Sequence, residues 1–179
     1  MEAHVTLDPD LTPPQRKAIF EAMGPGWVHG EQASAADPLT VGALIISVGF
    51  VAKSLLDGFL KEAGKDAYQW LKARRAVQAA QSAGPLQTRY TARVGEVTVQ
   101  DRLSGECIAR HDHFLEAVQR ALEAMPGAEA VHIRSVDLEY DEALHRYTTA
   151  SFYELDIYRR PAVSEPVAKV DLPATGTGA

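Results

Sequence analysis

The sequence predicts an α+β protein with an N-terminal strand-helix-strand unit, a long central helix that passes from apolar to amphipathic, and a C-terminal antiparallel sheet with one packed helix. Three observations carry this. Leu39 to Ala52 is a run of fourteen residues without a charge. On either side of the region it opens, apolar and polar residues alternate with the two-residue period of half-buried strands. Elsewhere, apolar positions at three- and four-residue steps mark helices. The expected units are residues 1–36, the central helix 37–84, the β-rich unit 86–160 and a flexible tail 161–179.

Ala3, Val5 and Leu7 alternate with Glu2, His4 and Thr6, which predicts a first strand. Thr12-Pro13-Pro14-Gln15 fits a capping box with proline at the first helical position, and Ile19, Phe20 and Met23 supply the apolar stripe of the helix that follows. Gly24-Pro25-Gly26 stops that helix, and Trp27-Val28 predicts a second short strand. A small-residue linker, Gly30 to Ala36, leads to Asp37-Pro38, a capping residue with proline behind it. From there Leu39, Val41, Leu44, Ile45, Ile46, Val48, Phe50 and Val51 point to all sides of a helix, the pattern of a helix buried all round. Beyond Lys53 the apolar residues Leu56, Phe59, Leu60, Ala63, Ala67, Trp70, Leu71 and Val77 keep to one side, and Gly84-Pro85 ends the helix.

Tyr90, Ala92 and Val94, then Val97, Val99 and Leu103, form two alternating runs joined at Gly95-Glu96, which predicts a hairpin. Cys107 to Arg110 is expected to add a short strand. Asp112 is placed to cap a helix whose Phe114, Val118, Leu122 and Met125 share one stripe. Val131-Ile133 and Val136-Leu138-Tyr140 alternate out of phase, so a bulge is expected near Arg134-Ser135. Tyr147, Tyr153, Leu155 and Ile157 are expected on one face of the last strand, and no periodic apolar face follows Pro161.

Composition narrows the function classes. A chain of 179 residues with 46% apolar and 23% charged side chains can bury a sizeable core. The net charge of -6 argues against a nucleic-acid surface, and the local cluster Lys72-Arg74-Arg75 suits a solvated helix end. One cysteine, Cys107, excludes an internal disulfide and a multi-cysteine zinc site, and a reducing cytoplasm is the expected setting. Met1 to Leu7 is short and acidic, unlike a signal peptide.

The apolar run admits three readings: a central helix wrapped by the chain's own sheets, a surface for a second copy or another protein, or a membrane-inserting helix. Gly42 and Gly49 lie one heptad apart and would allow close helix contact, so Leu39, Gly42, Ile45, Ile46, Gly49, Phe50, Leu56 and Phe59 are the candidate partner-binding residues. Extended to Leu60 the run has 22 residues, enough to cross a bilayer, but it then places Lys53 and Asp57 in lipid, four residues apart where they could pair. A cytoplasmic position is therefore expected, with a membrane-peripheral one as the alternative.

Catalytic signatures are sparse. His111 and His113, with Cys107 or His132, could ligate a metal for assisted hydrolysis, but H-x-H by itself falls short of the three or four ligands such a site needs. A Cys107-His111 nucleophile pair lacks an electropositive setting beyond Arg110. No GxGxxG or GxxxxGK[ST] occurs, so no nucleotide site, no cofactor and no small-molecule substrate are expected. Leu172-Pro173-Ala174-Thr175-Gly176 matches the LPxTG pattern of wall-sorting signals, yet only Thr177-Gly178-Ala179 follow, and the match is read as coincidence.

The passage Gly58-Phe59-Leu60-Lys61-Glu62-Ala63-Gly64-Lys65-Asp66-Ala67-Tyr68-Gln69-Trp70-Leu71-Lys72, behind a glycine-containing apolar segment and a strand-helix-strand unit, resembles small actinobacterial proteins known as effector-associated constant components. The resemblance covers Ala3 to Arg75, and the β-rich half from Leu86 departs from it. It implies a non-enzymatic adaptor that couples an effector to a sensor in an NTP-dependent conflict or defence system, and it brings no catalytic residues. The leading expectation is thus a non-enzymatic interaction module that associates with itself or another protein.

Overall fold

Leu44, Ile46, Val48 and Phe50, expected on a helix, alternate instead along a strand, with Ile45, Ser47 and Gly49 between them on the other face. In the computed structural model, which describes residues 2–7, 10–24, 28–31, 42–61, 65–102, 104–126, 132–154 and 165–174, this strand is one of eight in a continuous mixed sheet. The elements are β1 (Glu2–Leu7), α1 (Pro13–Met23), β2 (Val28–Glu31), β3 (Gly42–Phe50), α2 (Lys53–Lys61), α3 (Lys65–Ser82), β4 (Leu86–Val94), β5 (Val97–Asp101), α4 (Cys107–Glu123), β6 (Ile133–Asp141), β7 (Arg146–Glu154) and β8 (Ala168–Asp171). They lie in the order β2-β1-β3-β4-β5-β6-β7-β8.

The helix expected over residues 37–84 is therefore corrected. Its apolar half is β3, a turn at Val51-Ala52 follows, and helix begins only at Lys53. The physical reason is that a short apolar run satisfies a buried strand as well as a buried helix. Stiff β-branched Ile45, Ile46 and Val48 favour the strand, and the glycines at 42 and 49 disfavour the helix. Leu39, Asp37 and Pro38 lie outside the described residues. Lys53 and Asp57 do not pair; Lys53 reaches Glu123 at 3.6 Å and Asp57 accepts from Gln119 Nε2 at 3.0 Å, fastening α2 to α4.

β3 also removes the boundary between the expected N-terminal and C-terminal units. It pairs antiparallel with β1 and parallel with β4, so both halves share one sheet and one core. The sheet is not purely antiparallel: β1/β2, β3/β4 and β5/β6 are parallel pairs, each joined across helix. All four helices among the described residues contribute side chains to a single apolar cluster on one face: Ile19 and Met23, Leu56, Ala73 and Val77, Phe114 and Val118. The β3–β4 and β5–β6 strands run in opposite directions, yet both crossovers step toward β8 on that same face. The two connections are therefore of opposite hand.

Several local expectations hold. Thr12 and Gln15 form the capping box, with Thr12 N–H donating to Gln15 Oε1 at 2.9 Å, and the buried Gln15 amide donates onward to Pro85 O at 2.8 Å. One side chain thus ties the start of α1 to the end of α3. Gly95, in the left-handed region at φ 59°, makes the β4–β5 turn, and the β6–β7 register slips between Ile133 and Ser135. Other expectations are corrected. Cys107 to Arg110 is the first turn of α4, not a strand, so Asp112 lies inside the helix and does not cap it. On β7 the inward residues are Tyr147, Ala150 and Phe152, because a second slip beside Glu139/Tyr140 changes the phase and turns Tyr153 to the opposite face. Leu155 and Ile157 lie outside the described residues. Part of the expected tail is structured: β8 pairs with β7, and Leu172 is buried with its N–H on Thr148 O at 2.7 Å.

Gly42 has a packing role that differs from helix contact. A Cβ there would stand 2.7 Å from Leu11 Cδ2 and 2.9 Å from Leu11 Cα, the latter a backbone atom that cannot swing away. Gly42→Val is expected to lower unfolding free energy by about 1–3 kcal/mol in urea titrations, the usual range for overpacking. Unchanged stability would refute this contact.

Candidate functional site

Two residues break the apolar phase of their elements. On β5, Asp101 follows Val99 on the inward face, and on α4, Arg110 stands one turn before Phe114 and two before Val118. Both are buried, to 4% and 1% exposure, and they meet. Arg110 donates through Nε to Asp101 Oδ2 at 3.1 Å, a second guanidinium nitrogen pairs with the same oxygen, and Nη1 donates to Thr88 O at 3.1 Å. Tyr147 O–H donates to Asp101 Oδ2 at 2.6 Å and the Tyr90 amide to Oδ1 at 2.7 Å. Tyr90 O–H turns to Cys107 O at 2.7 Å.

One carboxylate therefore collects donors from β4, β7 and α4. Burial pushes the Asp101 carboxyl up from its ordinary value, and the Arg110 charge with the Tyr147, Tyr90 and Arg110 hydrogen bonds pulls it back. Burial also raises the Tyr90 and Tyr147 phenols. These groups saturate one another, the arrangement of a structural polar network.

The polar cluster that the sequence singles out on α4 is dispersed by the helix. Cys107 is buried with Sγ 3.3 Å from Leu86 O, and burial raises its thiol above the ordinary value, which leaves it a poor nucleophile. His111 is buried, its ring stacked on Trp70 at 3.9 Å between centroids and edge-on to Tyr90 at 5.4 Å. Its Nε2 lies 3.1 Å from Trp70 O, which can only accept, so Nε2 carries the proton and Nδ1 is bare. Nδ1 has no hydrogen-bond partner among the described residues. His113, two residues on, is half-buried and points to a different side of the helix, while His132 is exposed at the start of β6. The metal-ligand set is thus not assembled, and no group of three or more His, Cys, Asp or Glu is placed to hold a metal among the described residues. Asp112 clamps α4 to α3 through Arg74, Nε at 2.5 Å and Nη2 at 2.9 Å, and that hydrogen bond lowers its carboxyl.

The candidate partner-binding residues go mostly to the core. Gly42, Ile46, Phe50 and Leu56 are buried, and Phe59 packs edge-on against Phe50 at 5.8 Å. Ile45 and Gly49 are half-exposed on the opposite face of β3, and Leu39 is outside the described residues. No described helix is long and apolar enough to cross a membrane, and the membrane-inserting helix expected over Leu39–Leu60 is replaced by β3 and α2.

The face opposite the helices is where chemistry is left over. Over β4 it presents Arg89, Thr91 and Arg93; over β5, Thr98 and Gln100; over β6, Asp137 and Glu139; over β8, Lys169 and Asp171. Gln100 Nε2 donates to Asp137 at 3.0 Å and Lys169 reaches Glu139 at 3.3 Å. Sequence reasoning missed this surface because its residues are the polar half of ordinary strand alternation. It also missed Asp101, whose signal was available: a charge in phase with Val97 and Val99.

Asp101→Asn, which leaves Arg110 buried without a counter-charge, is expected to cost about 3–5 kcal/mol in chemical denaturation. Asp101→Leu combined with Arg110→Met should recover most of that, and equal losses in single and double variants would contradict a coupled pair. His111 gives a pH signature. Burial depresses its pKa from 6.5 to about 3, so between those values the unfolded chain takes up a proton that the folded chain refuses. Stability from this residue is complete above pH 6.5 and falls by about 1.4 kcal/mol per unit as pH drops toward 3. His111→Phe should flatten the pH dependence of unfolding relative to the parent between pH 6.5 and 5; parallel curves would refute the assignment.

No family model, curated protein or solved structure matches the chain.

Proposed function

We propose that the chain is a non-enzymatic interaction module that engages protein through the sheet face opposite its helices. The observation that carries this reading is the one-sidedness of the fold. α1 to α4 all pack on the inward rows of the sheet, and the outward rows carry charges and amides in a broad array. The reading keeps the interaction role expected from the sequence and moves its surface, since Ile46, Phe50 and Leu56 are spent on the core. The titratable groups that could have served catalysis support it too: Asp101, Arg110, Tyr147 and Tyr90 face one another, and His111 is enclosed by aromatic rings. The likeness of Gly58 to Lys72 to effector-associated constant components agrees with an adaptor role. The glycine-containing apolar helix of that layout is a strand here.

A photo-crosslinking amino acid introduced at position 91, 100 or 151, all on this face, should give protein adducts in living cells. The same residue at exposed helix positions 17 or 78 should not. Adducts confined to the helix positions would overturn the reading.

A further inference from the structure

We propose that the β7 border of the sheet is a docking groove for an extended peptide, occupied here by the chain's own β8. Its outside partner is a protein segment of alternating apolar and polar residues in which a leucine is followed by a carboxylate. This surface is separate from the outward face, and neither reading depends on the other. The inference starts from how β8 is held. Thr149, Ala150, Ser151 and Phe152 stand opposite Asp171, Val170, Lys169 and Ala168, and the pairing is extended by Val167 N–H on Phe152 O at 2.8 Å and Leu172 N–H on Thr148 O at 2.7 Å. Those are backbone bonds that any extended chain can make. Of the side chains, Lys169 and Asp171 are exposed, Ala168 and Val170 are half-buried against the core, and Leu172 is buried. Main-chain pairing with alternate side chains in pockets is the pattern of strand addition. Nor is β8 tied down by a tight hairpin: residues 155–167 separate it from β7, where two would suffice to turn the chain.

The unused charge at one end of the groove says what the partner carries. Arg120 on α4 donates through Nη1 to Pro173 O, just past Leu172, but its Nε is shielded from solvent without a hydrogen-bond acceptor. No ion pair among the described residues engages Arg120 or Arg146. Burial lowers the Arg120 pKa; Glu116 on the same helix opposes this and the Arg146 charge adds to it. Arg146 begins β7, two residues before Thr148, so both cations stand at the end of the groove that receives the leucine. Two like charges served by one neutral carbonyl are better matched by a carboxylate, which accepts two parallel N–H bonds from a guanidinium. The chain's own segment continues from Leu172 as Pro173-Ala174-Thr175-Gly176, without an acid. A segment with aspartate or glutamate at that place would take the groove in preference to β8.

Fluorescence polarisation with the full chain tests the proposal. The probe is a fluorescein-labelled peptide in which the sequence Ala168 to Leu172 is followed by two glutamates, and its control carries two glutamines instead. Leu172→Gly, which removes the anchor of β8, should bind the glutamate probe with a micromolar Kd, about tenfold or more tighter than the control. The parent, whose own strand competes, should bind the probe about tenfold more weakly than that variant. Adding Arg120→Gln to Leu172→Gly should abolish the preference for glutamate and keep the control within about threefold. Thr149→Cys with Asp171→Cys, opposite one another in the register, forms a lock: the reduced protein should bind like the parent and the oxidised one should not bind. Circular dichroism melts establish that each variant is folded, and if Leu172→Gly does not fold, the reduced and oxidised lock decides alone. No binding to Leu172→Gly or to the reduced lock at about 200 µM, equal affinity for the two peptides, or binding unaffected by the lock would each overturn it.

Discussion

A sheet of eight strands buries only the side its helices cover, and here every described helix lies on one side. That constraint decides the rest. The inward rows must be apolar, which is why Leu44, Ile46, Val48 and Phe50 on β3 sit beside Val5 and Leu7 on β1 and Tyr90 and Ala92 on β4. At about 25 cal/mol per Å² of apolar surface removed from water, such rows supply the main driving force for the two layers to meet. The outward rows carry no such requirement, and their composition is free to serve another purpose.

Within the apolar layer the polar exceptions act as joints. Asp101 stands at the end of the shortest central strand and holds the Tyr90 backbone, the Tyr147 hydroxyl and the Arg110 guanidinium at once. Register between strands is loosely specified where side chains are interchangeable, and a buried charge accepts only one arrangement of donors. The same joint anchors α4, whose crossover has the opposite hand from the one before it, so its position is fixed by side-chain chemistry as well as by burial. On the other side of α4, Gln119 and Glu123 hold α2, and Asp112 holds α3.

The sequence was most legible where local chemistry is unambiguous. The Thr12 to Gln15 cap, the Gly95-Glu96 turn, the Ile133 to Ser135 slip and the Gly84-Pro85 stop all follow from rules that act over a few residues. Gly42 to Phe50 was misread because Ile45 places a large apolar side chain on the outward face, masking the alternation that Ser47 and Gly49 would otherwise show. Phe152 was missed because an extra residue, Thr148, on β7 itself shifts the phase between Tyr147 and Thr149, and β8 because a strand of four residues has no periodicity to read. Of the candidate site, Asp101 and Arg110 were visible as charges in apolar phase. Their meeting, nine residues apart but on different elements, depends on tertiary packing alone.

The two borders of the sheet are formed by β2 and β8, each only four residues long. Open strand borders invite backbone pairing with any extended chain, and brevity limits how many hydrogen bonds such pairing can gain. On β8 the alternation of Lys169 and Asp171 adds charge that a flat neighbour would have to accommodate. Growth into ribbons is thereby discouraged at both rims.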